Sequence, residues 1–294
     1  SAFALFAWRS PTFRADGAYA PVSREGTLVL NNLFLSAATA TVLLGTLYPL
    51  LVEAATGRPL TVGPPYFNLT FAPLMAAALL ILPAGPLLAW KRGDLRGALQ
   101  RLTVAAAIAL GAGVVALLLV EPRSAVAAVG GALALWLIAG SLTEVAERGR
   151  VGRAPLAESA RRLRALPRGA WGTTLAHMGL GVFVLGAAVE TTGKQEAAAV
   201  LAMDGTLRVG GFELRLENVS TIDGPNYMAE RGTVVVTRGG DAVCRAEPER
   251  RFFPAGGQTT SEVALCGAGL DDLYLVLGER RASAAGEPGW LVRA

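Results

Sequence analysis

The segment Trp171-Gly172-Thr173-Thr174-Leu175-Ala176-His177-Met178-Gly179-Leu180-Gly181 opens an apolar stretch that continues to Val189 and contains the only histidine of the chain. A stretch of this length and composition predicts a membrane-spanning helix. Ionisable side chains inside a span are rare and costly, so His177 is a candidate functional residue. Imidazole is a common ligand of metals and haem iron. If His177 holds iron in a bis-histidine haem site, the second histidine must come from outside these residues.

The composition is typical of a polytopic membrane protein. Hydrophobic residues make up 52% of the 294 residues and charged residues only 17%, whereas soluble proteins carry roughly 25% charged residues. The charges cluster in short arginine-rich loops between uncharged stretches. The net charge of +4 therefore belongs to loops beside a membrane and does not indicate a nucleic-acid partner. The sequence contains neither a phosphate-binding GK[ST] loop nor metal-finger spacing.

About five stretches are long enough to cross a bilayer. They cover approximately residues 26–51, 69–90, 102–120, 125–143 and 171–189. The loops alternate between basic and poorly basic. The basic loops carry Arg9, Arg14 and Arg24; Lys91, Arg92, Arg96 and Arg101; and Arg148, Arg150, Arg153, Arg161, Arg162, Arg164 and Arg168, and the opposite loops carry Arg58 and Arg123. The positive-inside rule places the basic loops in the cytoplasm, so the fifth span exits on the outer side near Glu190.

Residues 194–294 predict a separate all-β domain, which follows a basic segment (1–25) and a helical domain (26–193). Short β-rich runs at 207–209, 212–216, 233–237, 263–266 and 273–277 are separated by Gly-Gly and Asp-Gly turns. The topology places this domain outside the cytoplasm, where an oxidising compartment permits a disulfide between Cys244 and Cys266. The alternative is two unpaired buried thiols, and the sequence does not choose between them.

The neighbours of His177 on one helix face allow two interpretations. They are Thr173, Thr174, Leu180 and Gly181. In the first, Gly181 and Gly179 leave room for a flat ligand, and a threonine hydroxyl bonds within the site or back to its own helix. In the second, His177 only hydrogen-bonds a neighbouring helix and the glycines serve helix packing. A proton relay would need partner carboxylates, which the spans almost lack.

Two further motifs also admit a functional and a structural interpretation. Pro64-Pro65-Tyr66-Phe67-Asn68 lies on the predicted outer side, either close to the chemistry or as a rigid turn between helices. Arg250-Arg251-Phe252-Phe253 can contact haem propionates or a partner protein, or can form a solvated strand edge.

The chain contains a set of short motifs in a specific order. The membrane part contains Ser23-Arg24-Glu25-Gly26, Leu30-Asn31-Asn32-Leu33, Leu44-Gly45-Thr46-Leu47-Tyr48-Pro49, Val62-Gly63-Pro64-Pro65-Tyr66-Phe67-Asn68, and Trp171-Gly172 with Leu175-Ala176-His177-Met178-Gly179. The outer domain contains Gly224-Pro225-Asn226-Tyr227, Pro248 with Arg250-Arg251-Phe252-Phe253-Pro254, Thr259-Thr260 with Glu262, and Leu277-Gly278-Glu279. Over nearly the whole chain these motifs resemble the C-terminal half of the CcmF family, the haem-lyase subunit of the bacterial system I cytochrome c maturation machinery.

The resemblance implies a multi-pass α-helical protein of the bacterial inner membrane with a C-terminal all-β domain in the periplasm. CcmF-like proteins take haem from a CcmE-like periplasmic chaperone and promote its thioether attachment to the CxxCH cysteines of apocytochrome c, together with a thioredoxin-like CcmH-like subunit. The motif match makes His177 an axial ligand of a membrane haem b. Thr173, Thr174 and Gly181, which helix spacing groups with His177, are then the expected haem-pocket residues. It assigns no catalytic residue.

The resemblance also implies that the chain is part of a longer protein. In this family the second axial histidine, a tryptophan-rich WWD segment and the histidines that hold substrate haem lie in the N-terminal half, and a further helix follows the outer domain. The opening residues, Ser1 to Arg9, look like the end of an earlier helix. We therefore expect the N-terminal half to be a partner of this chain and expect these residues alone to be inactive.

Two rival functions remain open at this stage. A transporter or channel subunit with a ligand-recognising outer domain would fit about five spans and a proline-broken second span. That reading predicts polar groups at mid-membrane depth, and the spans show few. A non-catalytic membrane scaffold, in which His177 only packs, is the second rival. A haem protein absorbs visible light, which separates it from both.

Overall fold

A computed structural model describes residues 2–12, 17–119, 124–269, 271–282 and 288–294. The chain forms two units, Ser1–Gly193 and Lys194–Ala294. The first is helical and the second consists of β-strands, which confirms the predicted fold class. Arg14, Val120 and Arg123, which the span and topology predictions used, lie outside the described residues.

The helical unit contains helices of very different length. They are α1 (Ala2–Arg9), α2 (Arg24–Thr56), α3 (Pro64–Ile81), α4 (Leu95–Arg101), α5 (Thr103–Leu119), α6 (Ala125–Gly149), α7 (Leu156–Arg164) and α8 (Arg168–Gly193). Short 3-10 turns cover Ser10–Thr12 and Gly85–Leu87. Among the described residues, four helical segments are long and apolar enough to cross a membrane: Arg24–Thr56, Pro64–Leu87, Ala125–Gly149 and Arg168–Gly193. Helices α4 and α5 meet at a bend of 58°, and counting this pair as one further span gives up to five spans.

The boundaries of two spans differ from the predicted ones for local reasons. Helix α3 begins at Pro64, five residues before the predicted start at Leu69, because proline is favoured in the first turn, where its missing N–H is not needed. The helix ends at Ile81, close to Pro83, where a break was expected. Helix α6 continues beyond Thr143 to Gly149, since Glu144 and Arg148 form an ion pair across one helical turn.

The motif at residues 64–68 packs against α2. The Tyr66 hydroxyl donates a hydrogen bond to the Thr41 carbonyl oxygen at 3.1 Å. The rings of Tyr66 and Phe67 cover Gly45 so closely that a Cβ atom there would lie 2.7 Å from the Tyr66 ring. The motif therefore forms the first turns of α3 and packs that helix against α2, and it is not the rigid turn between helices of the structural interpretation.

The β unit is built from two antiparallel sheets. The strands are β1 (Ala198–Leu201), β2 (Thr206–Val209), β3 (Phe212–Asp223), β4 (Met228–Arg238), β5 (Asp241–Ala246), β6 (Glu249–Phe253), β7 (Gln258–Glu262), β8 (Ala264–Ala268), β9 (Asp271–Ala282) and β10 (Pro288–Arg293). One sheet has the order β1-β10-β9-β8. The other has the order β2-β3-β4-β6-β7, with β5 also paired to β4. The Gly-Gly turns after β2 and β4 have the positive φ angles that glycine permits.

The core of the β unit lies between the two sheets. Alternate residues of the long strands are fully buried, as the period of two predicts: Leu214, Leu216, Val234 and Val236 from one sheet, and Leu275, Leu277 and Val292 from the other. A disulfide joins Cys244 in β5 to Cys266 in β8 and so links the sheets covalently. The structure thereby selects the disulfide over two separate thiols.

Candidate functional site

His177 lies in α8 and lines a cavity of about 290 Å³ in the helical unit. The imidazole is half-buried. The walls come from α2, from the end of α3 and its following turn, and from α8; they comprise Arg24, Thr27, Leu28, Asn31, Phe34, Ala78, Ile81, Leu82, Gly85, Pro86, Thr173 and His177. The surface beside the imidazole is thus mainly apolar, with a few polar groups that can orient a ligand.

The three residues predicted to accompany His177 do not share one location. Thr173 lines the cavity one helical turn from His177, and its hydroxyl donates to the Gly169 carbonyl oxygen at 3.0 Å. Thr174 does not line the cavity. It is buried, and its hydroxyl donates back to the Ala170 carbonyl oxygen at 3.0 Å. Both threonines therefore bond to their own helix, and only Thr173 reaches the cavity.

Gly181 belongs to a helix interface and not to the cavity. A Cβ atom at this position would lie 2.7 Å from Ile138 Cγ1 and 3.0 Å from the Ala134 carbonyl oxygen, both in α6. The buried residues of α8 are Thr174, Gly181 and Ala188, which recur every seven residues and form one stripe. Gly181 thus lets α6 and α8 approach closely, and its predicted place in a haem pocket stays a prediction. Gly179 faces open space.

Two charged residues near His177 were missed as site residues by sequence reasoning. Arg24 lines the cavity, although in the sequence it reads only as a topology determinant. Glu144, in the helix that packs against α8, is 3% exposed and accepts a hydrogen bond from Arg148 Nη2 at 2.5 Å. The predicted fourth span ended one residue before Glu144, so the sequence placed this carboxylate in a loop. A charged helical turn that follows an apolar span without an intervening glycine or proline is the signal that would have revealed it.

The arginines of the β unit are engaged within their own domain. Glu249, 5% exposed, accepts hydrogen bonds from Arg231 Nε at 2.6 Å and from Arg251 Nε at 2.7 Å. Burial raises the pKa of the Glu249 carboxyl, but the bonds from Arg251 and Arg231 outweigh it, and the pKa lies below its usual value. The Arg251 guanidinium also stacks 4.5 Å from the Tyr227 ring centre. Arg250 pairs with Glu230 at 3.6 Å. Both arginines of the 250–253 motif therefore have partners in the domain.

Comparison with known proteins agrees with this architecture. The family described as the CcmF C-terminal beta-sandwich matches residues 192–294, which is the β unit almost to the residue. The cytochrome c-type biogenesis protein CycK of Rhizobium meliloti is 43% identical over 281 residues, 96% of this chain. The chain belongs to the CcmF family. CcmF of Pseudomonas aeruginosa is 34% identical over 290 residues, which cover 98% of the chain. The resemblance drawn from the sequence motifs is confirmed.

The similarity to CcmF extends to three dimensions and includes the helical unit. A solved structure of the cytochrome c haem lyase CcmF matches with a TM-score of 0.64 and 26% identity over 93% of this chain. The chain spans 42% of the length of that protein and 42% of the CycK relative. Membership of the CcmF family, together with the apolar helices, makes the chain part of a multi-pass membrane protein.

Proposed function

We propose that the chain is the part of a cytochrome c haem lyase that holds a membrane haem b through His177. One observation carries this proposal: the only histidine of the chain sits in an apolar span and lines a cavity walled by three helical elements. An imidazole that only packed against a neighbouring helix would not need such a space beside it.

The residues around the cavity suit a haem. Apolar side chains such as Phe34, Ile81 and Leu82 can lie against the macrocycle, and the half-buried imidazole offers a nitrogen to the iron. The volume of about 290 Å³ is at the lower end of small-molecule sites, which run from roughly 300 to 1,000 Å³. These residues therefore supply one wall of the site. The other wall and a second histidine ligand would come from the N-terminal half of the same protein.

The roles of the chain's own residues follow from their positions. His177 would hold the iron through a ring nitrogen, and Thr173, one turn away, lines the same cavity. Gly181 allows α8 to pack closely against α6, the helix that supports the His177 helix. A haem held here would supply electron transfer or structural support. The Cys244–Cys266 pair has no part in haem attachment, since the acceptor thiols belong to the cytochrome.

The proposed reaction of the whole protein is thioether formation between haem and apocytochrome c. The lyase receives substrate haem from a CcmE-like chaperone, and each CxxCH thiol adds its S–H across a haem vinyl group. A thioredoxin-like CcmH-like subunit and apocytochrome c are the proposed partners. The arginine-rich loops orient the protein with the β unit in the periplasm of a bacterial inner membrane, on the side of these partners.

Visible absorption spectra of the purified full-length protein test the haem assignment. We expect wild type to show a Soret band and sharp bands after dithionite reduction, and His177→Ala to lose them or convert to a high-spin spectrum. Leu175→Ala is the matched control, because Leu175 lies in the same helix but is exposed and does not line the cavity. An unchanged low-spin spectrum in His177→Ala would contradict ligation. A colourless wild type would favour the transporter or scaffold function.

A further inference from the structure

The cavity that contains His177 also contains a guanidinium group. Arg24, the first residue of α2, and His177, in α8, line the same space. Arg24 is only partly exposed, although it lies at the end of a helix. A cation that faces an apolar cavity is costly unless a counter-charge is present.

The local structure holds Arg24 in place from both its backbone and its side chain. The Ser23 hydroxyl caps α2 by accepting from the Gly26 N–H at 3.0 Å, and the Arg24 N–H donates to the Ala89 carbonyl oxygen at 3.0 Å. The Arg24 guanidinium carbon lies 5.0 Å from the centre of the Trp90 ring. Stacking of this kind restrains the side chain and leaves the edge of the guanidinium free to donate.

No carboxylate within the described parts of the chain forms an ion pair with Arg24. Its neighbour Glu25 is committed elsewhere, since its carboxylate accepts the Lys91 N–H at 2.8 Å. The charge and the N–H donors of Arg24 are therefore unmatched by these residues, while the position of the group is fixed. A fixed guanidinium without a counter-charge is the arrangement expected of a residue that binds an anionic ligand.

We infer that Arg24 binds a propionate carboxylate of the haem that His177 ligates, and so determines which edge of the macrocycle enters the cavity. This inference rests on the proposed function. Haem combines a flat apolar ring, an iron that takes imidazole, and propionates along one edge. The cavity presents the complementary set: apolar walls, His177, and a planar cation that matches a carboxylate in bidentate geometry. Arg24 acts as a positioning residue.

Binding of two ligands that differ only in the carboxylates tests this inference. Full-length protein depleted of haem is titrated with ferric haem and with ferric haem dimethyl ester, and affinity is read from the Soret band and from haem loss to apomyoglobin. We expect wild type to bind haem roughly tenfold or more tightly than the ester, as a charge-assisted hydrogen bond predicts. In Arg24→Gln this ratio falls towards one and the affinity for the ester is unchanged. Arg24→Lys, which keeps the charge, gives an intermediate ratio.

The control variant is Arg92→Gln, which removes the same charge from the neighbouring loop at an exposed position that does not line the cavity. It should keep the wild-type ratio. An undiminished ratio in Arg24→Gln, or an equal loss of affinity for both ligands, would overturn the role of Arg24, and the second result would show a structural effect. If wild type binds neither ligand, or if His177→Ala leaves the spectrum unchanged, the haem site itself is wrong.

Discussion

Gly181 in α8 and Ala134 in α6 approach so closely that a Cβ atom on Gly181 would lie 3.0 Å from the Ala134 carbonyl oxygen. We expect Gly181→Ala to destabilise the helical unit by about 1–3 kcal/mol, because backbone on the opposite side cannot yield as a flexible side chain would. The measurement is the thermal midpoint of the full-length protein in detergent. Gly179→Ala is the control, since a Cβ there meets open space. Equal midpoints for the two variants would contradict the packing role of Gly181.

The disulfide between Cys244 and Cys266 is expected to stabilise the β unit. It closes a sequence separation of 22 residues and joins strands of different sheets. Loop closure of this length is worth about 3 kcal/mol through the unfolded state. The double variant Cys244→Ala, Cys266→Ala should therefore be cleaved by protease in the β unit at lower urea concentration than wild type. Reduction of wild type should reproduce the loss. Maleimide labelling of unreduced, unfolded wild type would show that the thiols are free.

The ion pairs of Glu249 make the stability of the β unit dependent on pH. Since the pKa of Glu249 is lower in the folded protein than its ordinary value of 4.5, its stabilisation is fully present above that value. The stabilisation is lost as the pH falls through the lowered pKa. We expect Glu249→Gln to lower the free energy of unfolding at pH 7 by about 1–3 kcal/mol. The difference from wild type should shrink in acid. Urea midpoints of both proteins between pH 7 and pH 3 measure it.

A matched variant separates this cluster from a general effect of charge. Glu213→Gln removes a carboxylate from an ion pair whose members are 40% and 80% exposed. Exposed pairs contribute little, about 0–1 kcal/mol. The unfolding midpoint of this variant should therefore follow wild type at every pH. If the difference in urea midpoint between wild type and Glu249→Gln were the same at pH 5 and at pH 3, the role of Glu249 would be contradicted.

The proposed orientation predicts opposite outcomes for two reporter fusions. Alkaline phosphatase is active only after export. The full-length protein truncated after Arg153, in the basic connection between α6 and α8, should give inactive enzyme when fused to it. Truncation after Lys194, beyond α8, should give active enzyme. Immunoblots of both fusions control for expression. The reverse pattern would place the β unit in the cytoplasm and remove it from apocytochrome c.

The sequence predicted most of the architecture because the relevant signals are local. Apolar length identifies the spans, and alternation with a period of two identifies the β-strands. The predicted start of α3 and the predicted end of α6 were wrong. Pro64 begins α3 and the Glu144–Arg148 ion pair extends α6, and hydropathy detects neither effect. The side-chain partners of Arg250 and Arg251 depend on strand register, which pairs β6 with β4 and β7, and the sequence left that register open.

The sequence by itself determined that His177 is the only histidine, that it lies in an apolar span, and that a bis-histidine haem needs a ligand from outside these residues. Only the tertiary structure decided which neighbours share its cavity. Helix periodicity grouped Thr174 and Gly181 with His177. In the structure Gly181 faces α6, Thr174 is buried away from the cavity, and α2 brings Arg24 into the cavity instead. The physical reason is that periodicity defines the faces of one helix, whereas the partner of each face depends on contacts between residues far apart in the chain.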